Sequence, residues 1–586
     1  MTSTTDWHFE ANEFLRNLII QCDETDELCT VNVSIYDTAW VSMVSKTIDG
    51  KTEWLFPQSF QLILDSQSSD GGWEVDKSPV DAIVTTLACV LALKRHQSTA
   101  PVYEGSEDDI NYRIDIAVKF LNSKLDSWDV STTERIAFEL IIPSLLKLLE
   151  IEYGIIFRFR DYNILVAIHH KKMAMIDNSM IYKFQSTCHY TLEAFIGRID
   201  FNRLRNLKHK GSFMSSPAST AAYLMNVSSW DEEAEQFLRY VLVHCKRYGN
   251  GGVSIICPTT AFEFSWSIVN LFENGFEMEK LDKCCLDRIK DILKRILTAQ
   301  NGLVGFAEGV LPDADGTAKT LAALYYLGDQ FSVEPLIKKF EIKTHFLCYE
   351  HERNPSISAN SNILITLLHA SMPERYTSQI VKALTFLCDT WWTSKGMLAD
   401  KWHQSWIYPA MLMSQGLTRL LYLHHEDVCF SSLSDDLIRN KVHIILLQLM
   451  VRLLQSQSNV TGCWGMNGSR EETSYAIIAL ANLASLPFAE LLRTQIDVAV
   501  ARGQAYLSST TSSNLLETEQ KERLWISKTV YGVGSVHQSY ILAALQTSAL
   551  RYSFNSEKKS CLPVISVEKS GDSKPILLKL NYFFPS

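Results

Sequence analysis

Glycine and proline are scarce in this chain, at 25 and 15 of 586 residues, which excludes a collagen-like or low-complexity protein. No apolar run approaches the roughly 18 residues of a membrane-spanning helix, so we expect no integral membrane span. Basic residues are outnumbered, with a net charge of -11. A nucleic-acid binder needs a basic face, so nucleic acid is not an expected partner. Any anionic ligand must be held by a few locally placed cations.

Targeting and disulfide signals are also lacking. The first ten residues, MTSTTDWHFE, have neither the basic and apolar regions of a secretory signal nor the arginine-rich character of a transit peptide. The 13 cysteines are odd in number, scattered and without a C-x-x-C pair. Free thiols in a reducing compartment fit this pattern better than a disulfide framework, so we expect a cytoplasmic protein.

Helical periodicity dominates what is present. Apolar residues recur at spacings of three and four in long segments, including residues 116–125, 137–151, 287–298 and 441–454, which is typical of amphipathic helices. Alternation with a period of two is rare and short. The helical segments are separated by short glycine-containing turns, which predicts stacked helical hairpins and an all-α fold.

A weak repeat marks four of these turns. Each has a polar lead-in, then a glycine, then an aromatic residue: QSSDGGW at 67–73, KHKGSF at 208–213, QNGLVGF at 300–306 and QSNVTGCW at 457–464. The glycine permits a positive φ, and the aromatic side chain can fill the space between two helices. Such regular turns indicate a repeat architecture. Hairpins arranged in a ring give an α/α-barrel, and two barrels would account for the length. Aromatic turns in another helical fold are the alternative.

Six further blocks follow one another in a distinctive order: SIYDTAWVSMV at 34–44, AFELIIPSLL at 137–146, GSFMSSPASTAAYLM at 211–225, LPDADGTAKTL at 311–321, DKWHQS at 400–405 and GSREETSYA at 468–476. Their order and spacing resemble the class II terpene cyclases, in particular the diterpene cyclases of the copalyl-diphosphate-synthase type and their fungal branch. The resemblance extends from about residue 33 to residue 545.

The resemblance implies two α/α-barrel domains, called β and γ, with the γ domain inserted into the β domain. We expect an N-terminal segment of the β domain at 1–48, the γ domain at 49–268, the rest of the β domain at 269–550 and a C-terminal tail at 551–586. Active sites of the family lie between the two barrels, with the acid motif on the β side.

Two aspartates carry the predicted chemistry. Protonating an alkene needs a carboxylic acid that stays protonated, and burial beside a second carboxylate keeps one proton on such a pair. Asp313 and Asp315 are a pair of this kind. They fall where the family has its Asp-x-Asp-Asp motif, which implies that Asp315 is the general acid and Asp313 its partner. The alternative is that both only cap the helix that begins near Thr317, a role that would lower a carboxyl pKa.

The third aspartate of the family motif is Gly316 in this chain. Its absence removes a hydrogen-bond partner and some charge from the acid site. A non-catalytic scaffold that binds a prenyl diphosphate or a partner synthase is therefore a second hypothesis.

The substrate diphosphate needs cations, and the resemblance assigns this role to Lys401 and Arg203. Arginine offers phosphate a planar fork and lysine a point charge. The resemblance also implies Mg²⁺, held by acidic residues of the γ domain. The matching stretch at 126–139 is only thinly acidic, so we assign no metal ligand. Aromatic faces stabilise carbocations, and the candidates for lining the cavity are Trp391, Trp392, Trp402, Trp464 and Tyr531.

Two residue pairs bear on the product. Plant members of the family that make the ent series quench the cation with a His–Asn pair, which is replaced here by Tyr190 and Ile255, so stereochemistry is not predicted. Asp435 and Asp436 begin a sequence similar to the metal-binding motif of class I synthases, but its last acid is missing. The matching blocks stop about forty residues before the end, where bifunctional fungal relatives continue with another domain.

We therefore expect a class II diterpene cyclase that converts geranylgeranyl diphosphate to a bicyclic copalyl-type diphosphate. A separate class I synthase would act on this product. The same chemistry on farnesyl diphosphate, giving a drimenyl-type product, is a close alternative.

Overall fold

The computed structural model describes residues 7–554, apart from 23–26, 74–77, 99–106, 134, 178, 246–250, 351, 353, 466–467, 510–521 and 548–551. Most of the predicted C-terminal tail at 551–586 lies outside the described residues. The described cysteines are all free thiols.

Helices make up most of this structure, as predicted. The α-helices are α1 His8–Gln21, α2 Ile35–Ser42, α3 Pro57–Ser66, α4 Pro79–Ser98, α5 Glu107–Ser127, α6 Phe138–Tyr153, α7 Tyr162–Ala174, α8 Pro217–Asn226, α9 Glu232–His244, α10 Thr260–Glu273, α11 Lys283–Ala299, α12 Ala314–Tyr326, α13 Glu334–Phe340, α14 Ile357–His369, α15 Thr377–Thr393, α16 Ile407–His425, α17 His443–Ser456, α18 Arg470–Ala484, α19 Arg493–Ser509 and α20 Gly534–Gln546.

Shorter elements connect the helices. The 3-10 helices span Met180–Tyr182, Thr187–Phe195, Phe201–Leu207, Met278–Lys280, Pro373–Tyr376 and Pro487–Leu492, and a π-helix spans Leu437–Val442. Two antiparallel hairpins are the only named strands in the described ranges, β1 Ser45–Ile48 with β2 Lys51–Trp54 and β3 Trp525–Ile526 with β4 Val530–Tyr531.

Six inner helices form the larger barrel. Each packs against the next in the order α10, α12, α14, α16, α18, α20, and α20 closes the ring against α10. Neighbouring inner helices are parallel. Asn362 contacts Asp315 near the starts of α14 and α12, and His369 contacts Tyr326 near their ends. Contacts elsewhere in the ring also join like ends: Glu273 with Tyr326 for α10 and α12, Arg419 with Leu368 for α16 and α14, Ser405 with Glu472 for α16 and α18, and His537 with Glu471 for α20 and α18. The amino ends of the ring therefore lie at one end of the barrel.

A second ring forms the smaller barrel. It comprises α2, α4, α6, the 3-10 helix Thr187–Phe195 and α8, and α8 packs back onto α2. Its apolar core is separate from that of the larger barrel. The predicted fold class, two α/α-barrels of mostly helical structure, is thus confirmed.

The chain crosses between the two cores earlier than the predicted limits at 48 and 268. Val31 belongs to the core of the larger barrel, whereas Tyr36 and Trp40 belong to that of the smaller one. The chain returns between Val253 and Ala261. The block at 34–44 thus contains α2, an inner helix of the γ barrel. This helix is buried on nearly every side. A helix that is buried all round has no amphipathic pattern, so its sequence does not indicate which core it joins.

The predicted turn repeat has a common hydrogen-bond pattern in the two barrels. Trp73 donates its indole N–H to Ile63 O at 2.7 Å, and Trp464 donates to Leu453 O at the same distance. The preceding glycines, Gly71 and Gly462, have φ of 97° and 79°. A Cβ at Gly71 would lie 2.4 Å from a backbone oxygen, so the turn requires glycine for conformation and for space.

The β3–β4 hairpin joins the two barrels. Lys528, in its turn, is fully buried and donates to Glu193 Oε1 at 2.7 Å and to Ser216 Oγ at 2.8 Å, both in the γ domain. Ser527 lies 2.7 Å from the Tyr190 hydroxyl, and Val530 N donates to Asp81. The hairpin is therefore fixed to the γ barrel by side chains on both sides of its turn.

No single described helix is long and apolar enough to cross a membrane. Two consecutive helical segments, Arg470–Ala484 and Pro487–Ser509, meet that length and composition only when taken together across a bend of 117°.

The buried ion pair at the barrel junction yields a stability prediction. We expect Lys528→Met to lower the free energy of unfolding by about 3 kcal/mol, because it leaves Glu193 as an uncompensated buried charge. Adding Glu193→Gln should recover part of that loss. The matched control is Arg16→Met, which breaks the exposed pair with Asp282 and should cost less than about 1 kcal/mol. Chemical denaturation measures all three, and equal losses for the buried and exposed pairs would contradict the prediction.

Candidate functional site

Asp313 begins α12 and caps it. Its Oδ1 accepts the backbone N–H of Gly316 at 2.6 Å, and its Oδ2 accepts the Tyr349 hydroxyl at 3.3 Å. The capping role that we considered as an alternative is therefore real for this residue. Capping does not decide its ionisation, however, since burial, with a contribution from the nearby Asp315 carboxylate, raises the pKa of Asp313 to about 7.

Asp315 lies in the first turn of α12 and faces the interior of the ring. Asn362 of α14 donates from Nδ2 to Asp315 Oδ1 at 2.7 Å. Its other oxygen, Oδ2, makes no hydrogen bond to a described residue, and the residue keeps 9% of its surface exposed. Burial raises the pKa of Asp315 to about 6, although the Asn362 hydrogen bond and the charges of Lys319 and Lys401 oppose the rise.

Two lysines lie near this carboxyl pair. Lys401 donates to Glu352 Oε2 and to Asn354 O, and its ammonium lies 5.0 Å from the Trp402 ring centre. Lys319 is 4% exposed on the inner face of α12, 5.6 Å from the Trp266 ring centre. The acid pair therefore has both positive and negative groups nearby. Their effects on the carboxyl pKa oppose each other, so neither the protonated nor the ionised form is strongly disfavoured.

Gly316 contributes its backbone N–H to the Asp313 cap. A Cβ at this position would lie 3.2 Å from Asp313 Oδ1, so the Asp313 carboxylate lies over the space that a side chain would use. The hydrogen bonds of Asp313 and Asp315 come from a backbone amide, Tyr349 and Asn362. The missing third carboxylate thus leaves both aspartates with partners.

A cluster of aromatic side chains lies beside the acid pair, close enough that the charge of Asp315 affects Tyr408 and Tyr531. They come from the amino-terminal halves of the inner helices, from the β3–β4 hairpin and from two loops, with successive ring centres 4.3 to 6.4 Å apart: Phe262, Trp266, Phe306, His403, Tyr408, Tyr475, Trp525, Tyr531 and Tyr540. We call this set the aromatic chamber. Its π faces provide negative electrostatic potential in a largely buried site.

Only some of the predicted aromatic residues lie here. Tyr531 belongs to the chamber, and Trp402 contacts Tyr349 beside the acid pair at 6.0 Å. Trp391 and Trp464 are buried between helices, with their indole N–H groups bonded to Gln448 Oε1 and Leu453 O. Trp392 is 41% exposed. Composition could not separate these classes, because packing and cation stabilisation use the same side chain.

The structure places the two predicted diphosphate ligands differently. Lys401 is near the acid pair, whereas Arg203 is exposed on the 3-10 helix Phe201–Leu207, with its guanidinium 3.8 Å from the Tyr182 ring centre. No contact in the structure tests either role, so both stay predictions. Of the pair at the quenching positions, Tyr190 reaches the β3–β4 hairpin and Ile255 is buried in the core.

The predicted Mg²⁺ stretch does not form a metal site in the described residues. Asp129 uses its carboxylate to cap Ser131 and Thr132, Glu139 lies 3.8 Å from Lys172, and Glu134 lies outside the described residues. Three potential ligands converge elsewhere in the described chain, namely Glu471, Glu522 and His537. That group is an internal network, because Glu522 accepts the backbone N–H groups of Arg470 and Glu471, and we derive no metal step from it.

Three residues of the site were missed in the sequence. Asn362 and Tyr349 belong to blocks that carry no motif, so only the packing of α14 and the preceding loop reveals them. Lys319 had a detectable signal, since it follows Asp315 by four residues and therefore lies on the same helix face.

Known proteins resemble this chain in sequence and in fold. No family model matches the chain. The chain is 40% identical over 557 residues to the bifunctional premutilin synthase of Rhodocybe pseudopiperita, covering 95% of this chain and 56% of that protein. It is 38% identical over 536 residues to the copalyl diphosphate synthase of Talaromyces verruculosus, covering 91% and 54%. The chain thus spans about half the length of the curated relatives that it matches.

Solved structures show the same fold. The ent-copalyl diphosphate synthase of Streptomyces platensis superposes with a TM-score of 0.72 at 24% identity, covering 92% of this chain and 99% of that one. The ent-copalyl diphosphate synthase of Arabidopsis thaliana gives a TM-score of 0.56 at 17% identity, covering 93% and 96%.

The raised pKa of Asp315 predicts a pH-dependent stability. Because this pKa is about 6 in the folded protein, against 3.8 for a free aspartate, the contribution of Asp315 to stability is fully present below about pH 4 and is lost as pH rises through 6. We expect Asp315→Asn to gain about 2 kcal/mol relative to the wild type between pH 4 and pH 8. Urea unfolding across that range measures the difference, with exposed Asp126→Asn as control. A difference that does not change with pH would contradict the raised pKa.

Proposed function

The chain has the class II terpene cyclase fold, and from this premise we propose that it converts geranylgeranyl diphosphate to a bicyclic, copalyl-type diphosphate. The proposed reaction begins with protonation of the alkene farthest from the diphosphate. Asp315 is the proposed general acid and Asp313 its partner.

One observation carries this assignment, the unshared oxygen of Asp315. Both oxygens of Asp313 accept hydrogen bonds from Gly316 N and the Tyr349 hydroxyl, which commits that carboxyl group to the role of acceptor. Among the described residues, Asp315 is hydrogen-bonded to Asn362 alone, through Oδ1, so its Oδ2 can carry a transferable proton toward the chamber. Substrate that expels water from the chamber raises the pKa of Asp315 further and keeps it protonated until the alkene is in place.

Asn362 suits both states of this acid. An amide donates to a carboxylate through its NH₂ group and, with the amide reversed, accepts from a carboxylic acid through its oxygen. Asp315 therefore retains a hydrogen bond before and after it releases the proton, without recruiting water. Such a fixed partner lowers the reorganisation that accompanies proton transfer.

The cation that follows would be stabilised by the aromatic chamber. Its rings present π faces from several directions in a buried site, which favours closure of the polyene before water reaches the cation. A final proton loss completes an isomerisation in which the diphosphate is never ionised. Asp435, the start of the sequence resembling a class I metal motif, is 80% exposed and lies 3.8 Å from Arg439, which gives no support to an ionising site there.

The diphosphate contacts are proposals of their own. We keep Lys401 and Arg203 as candidate cations and Mg²⁺ as a counter-ion accompanying the substrate rather than as a resident metal. A separate class I synthase is the proposed consumer of the product, since the retained diphosphate is the leaving group of such an enzyme. A cytoplasmic location stays a prediction.

A product assay tests the proposal. The purified chain is incubated with geranylgeranyl diphosphate and Mg²⁺, then with phosphatase, and the alcohols are identified by mass spectrometry. We expect a bicyclic alcohol from the wild type, and from Asp315→Asn a loss of at least about 100-fold, in the range of removing a general acid. Only geranylgeraniol from the wild type would contradict the cyclase and favour the scaffold.

Farnesyl diphosphate is the second substrate of the same assay. If farnesyl diphosphate gives a drimenyl-type alcohol faster than geranylgeranyl diphosphate gives the bicyclic diterpenoid, the preferred substrate has fifteen carbons instead of twenty. Asp287→Asn, which changes an exposed carboxylate on α11 outside the proposed site, is the matched control and should leave the product yield unchanged.

Gly316 generates a separate prediction. Because both aspartates already have hydrogen-bond partners, we expect Gly316→Asp to change kcat by less than about threefold, equivalent to under 1 kcal/mol in the barrier. Gly316→Ala keeps the backbone N–H and tests the effect of the Cβ alone. A rise of about tenfold or more in the aspartate variant alone would show that the missing carboxylate limits the rate.

A further inference from the structure

Lys319 is a buried ammonium group without a conventional partner. It follows Asp315 by one helical turn, is 4% exposed, and makes no hydrogen bond or ion pair with any residue in the described ranges. Its ammonium lies 5.6 Å from the Trp266 ring centre. Burying an unpaired charge is costly, and the proposed protonation step does not itself use this residue.

A polar network lies farther along the same helix. Tyr326 of α12 donates to Glu273 at the end of α10, and its hydroxyl lies 2.8 Å from His369 Nε2. His369 Nε2 is in turn 3.0 Å from Glu273 Oε1, and its Nδ1–H donates to Ile365 O at 2.7 Å. The carboxylate of Glu273 is close enough to Lys319 to raise its pKa.

This network reaches a cavity on the side of the barrel away from the chamber. The cavity has a volume of about 270 Å³, and His369, Tyr325 and Thr366 line its inner side, whereas Phe331 and Met372 lie at its exposed rim. It lies toward the carboxyl ends of α12 and α14, while Asp315 is at the amino end of α12. Lys319 therefore lies along the helix between the acid and a route to solvent.

The proposed function creates a need for such a route. Each turnover moves the Asp315 proton to the substrate and leaves a buried carboxylate beside the aromatic chamber. A different group removes the last proton from the product cation, so Asp315 must be reprotonated before the next turnover. Product and substrate occupy the chamber side, which makes entry of a proton from behind the acid advantageous.

We propose that Lys319 reprotonates Asp315 after each turnover and is itself recharged from the cavity through His369, Tyr326 and Glu273. In this step a proton leaves the Lys319 ammonium and adds to the Asp315 carboxylate, giving a neutral amine and a carboxylic acid. A proton entering along the network then restores the ammonium. The inference rests on the proposed function, because it supplies the acid that this function consumes.

Geometry supports the exchange. Side chains four residues apart on a helix share a face, and Lys319 and Asp315 are close enough for the charge of each to shift the pKa of the other. The four-carbon stem of Lys319 lets the amine move between Asp315 and the network below. Burial lowers the Lys319 pKa to about 8, which brings donor and acceptor close enough in acidity for a proton to pass in either direction.

A burst experiment tests the proposal. With substrate in excess, rapid quenching should reveal one product per active site in Lys319→Met, formed at a rate within about threefold of the wild type. The following steady-state rate should fall by about tenfold or more. Lys319→Arg separates charge from proton supply, because arginine keeps the positive charge but does not deprotonate. We expect it to behave like the methionine variant.

Two further variants keep the test decisive. His369→Gln interrupts the network at its cavity end and should give the same burst, even where Lys319→Met fails to fold. Thr320→Val, the adjacent residue on α12, removes a 2.9 Å contact to Ser265 and should show no burst. Provided that the wild type turns over, three results would each overturn the relay. The first is that Lys319→Met loses the first turnover as well as the steady state. The others are unchanged kinetics in Lys319→Met and wild-type kinetics in Lys319→Arg. A wild type without cyclic product would overturn the proposed function and the relay together.

Discussion

The constraint on which the site depends is the need to keep a carboxylic acid protonated at the amino end of a helix. A helix amino terminus favours the anionic form of a nearby carboxyl group, yet burial raises the pKa of Asp313 to about 7 and that of Asp315 to about 6. Burial has the larger effect on both carboxyl groups, and the hydrogen bonds and positive charges nearby offset it only in part. The division of roles follows from the same geometry, since Asp313 receives the helix N–H and Asp315 faces the chamber.

The barrels convert this local chemistry into a site. Because the inner helices of the larger barrel are parallel, their amino-terminal halves bring aromatic residues from the whole ring to one end. The β3–β4 hairpin completes that end: Trp525 and Tyr531 are part of the chamber, while Lys528 between them is bonded to Glu193 of the γ barrel. Chamber wall and domain contact are thus one element, so the relative position of the barrels and the shape of the chamber are coupled.

Sequence reasoning predicted the all-helical architecture, the turn repeat and the buried acid pair, because each leaves a local signature in spacing or composition. It placed the first domain limit too far along the chain, since α2 is apolar on nearly every side and does not indicate which core it joins. It also listed Trp391 and Trp464 for the cavity, although their indoles are bonded within helix packing. Contacts such as that of Asn362 with Asp315 depend on how α14 lies beside α12, which no single segment encodes.

The parallel ring has an electrostatic consequence for any positively charged intermediate. Six helix dipoles direct their positive ends toward the chamber, a field that would repel a carbocation. Acidic side chains lie at these same ends: Asp400 accepts the N–H groups of Ile357 and Ser358 at the start of α14, and Glu471 lies in the first turn of α18. These carboxylates offset the dipoles where they converge. Part of the chain's excess of acidic residues therefore lies at the amino ends of the inner helices. There it makes the inner surface of the barrel compatible with a migrating positive charge.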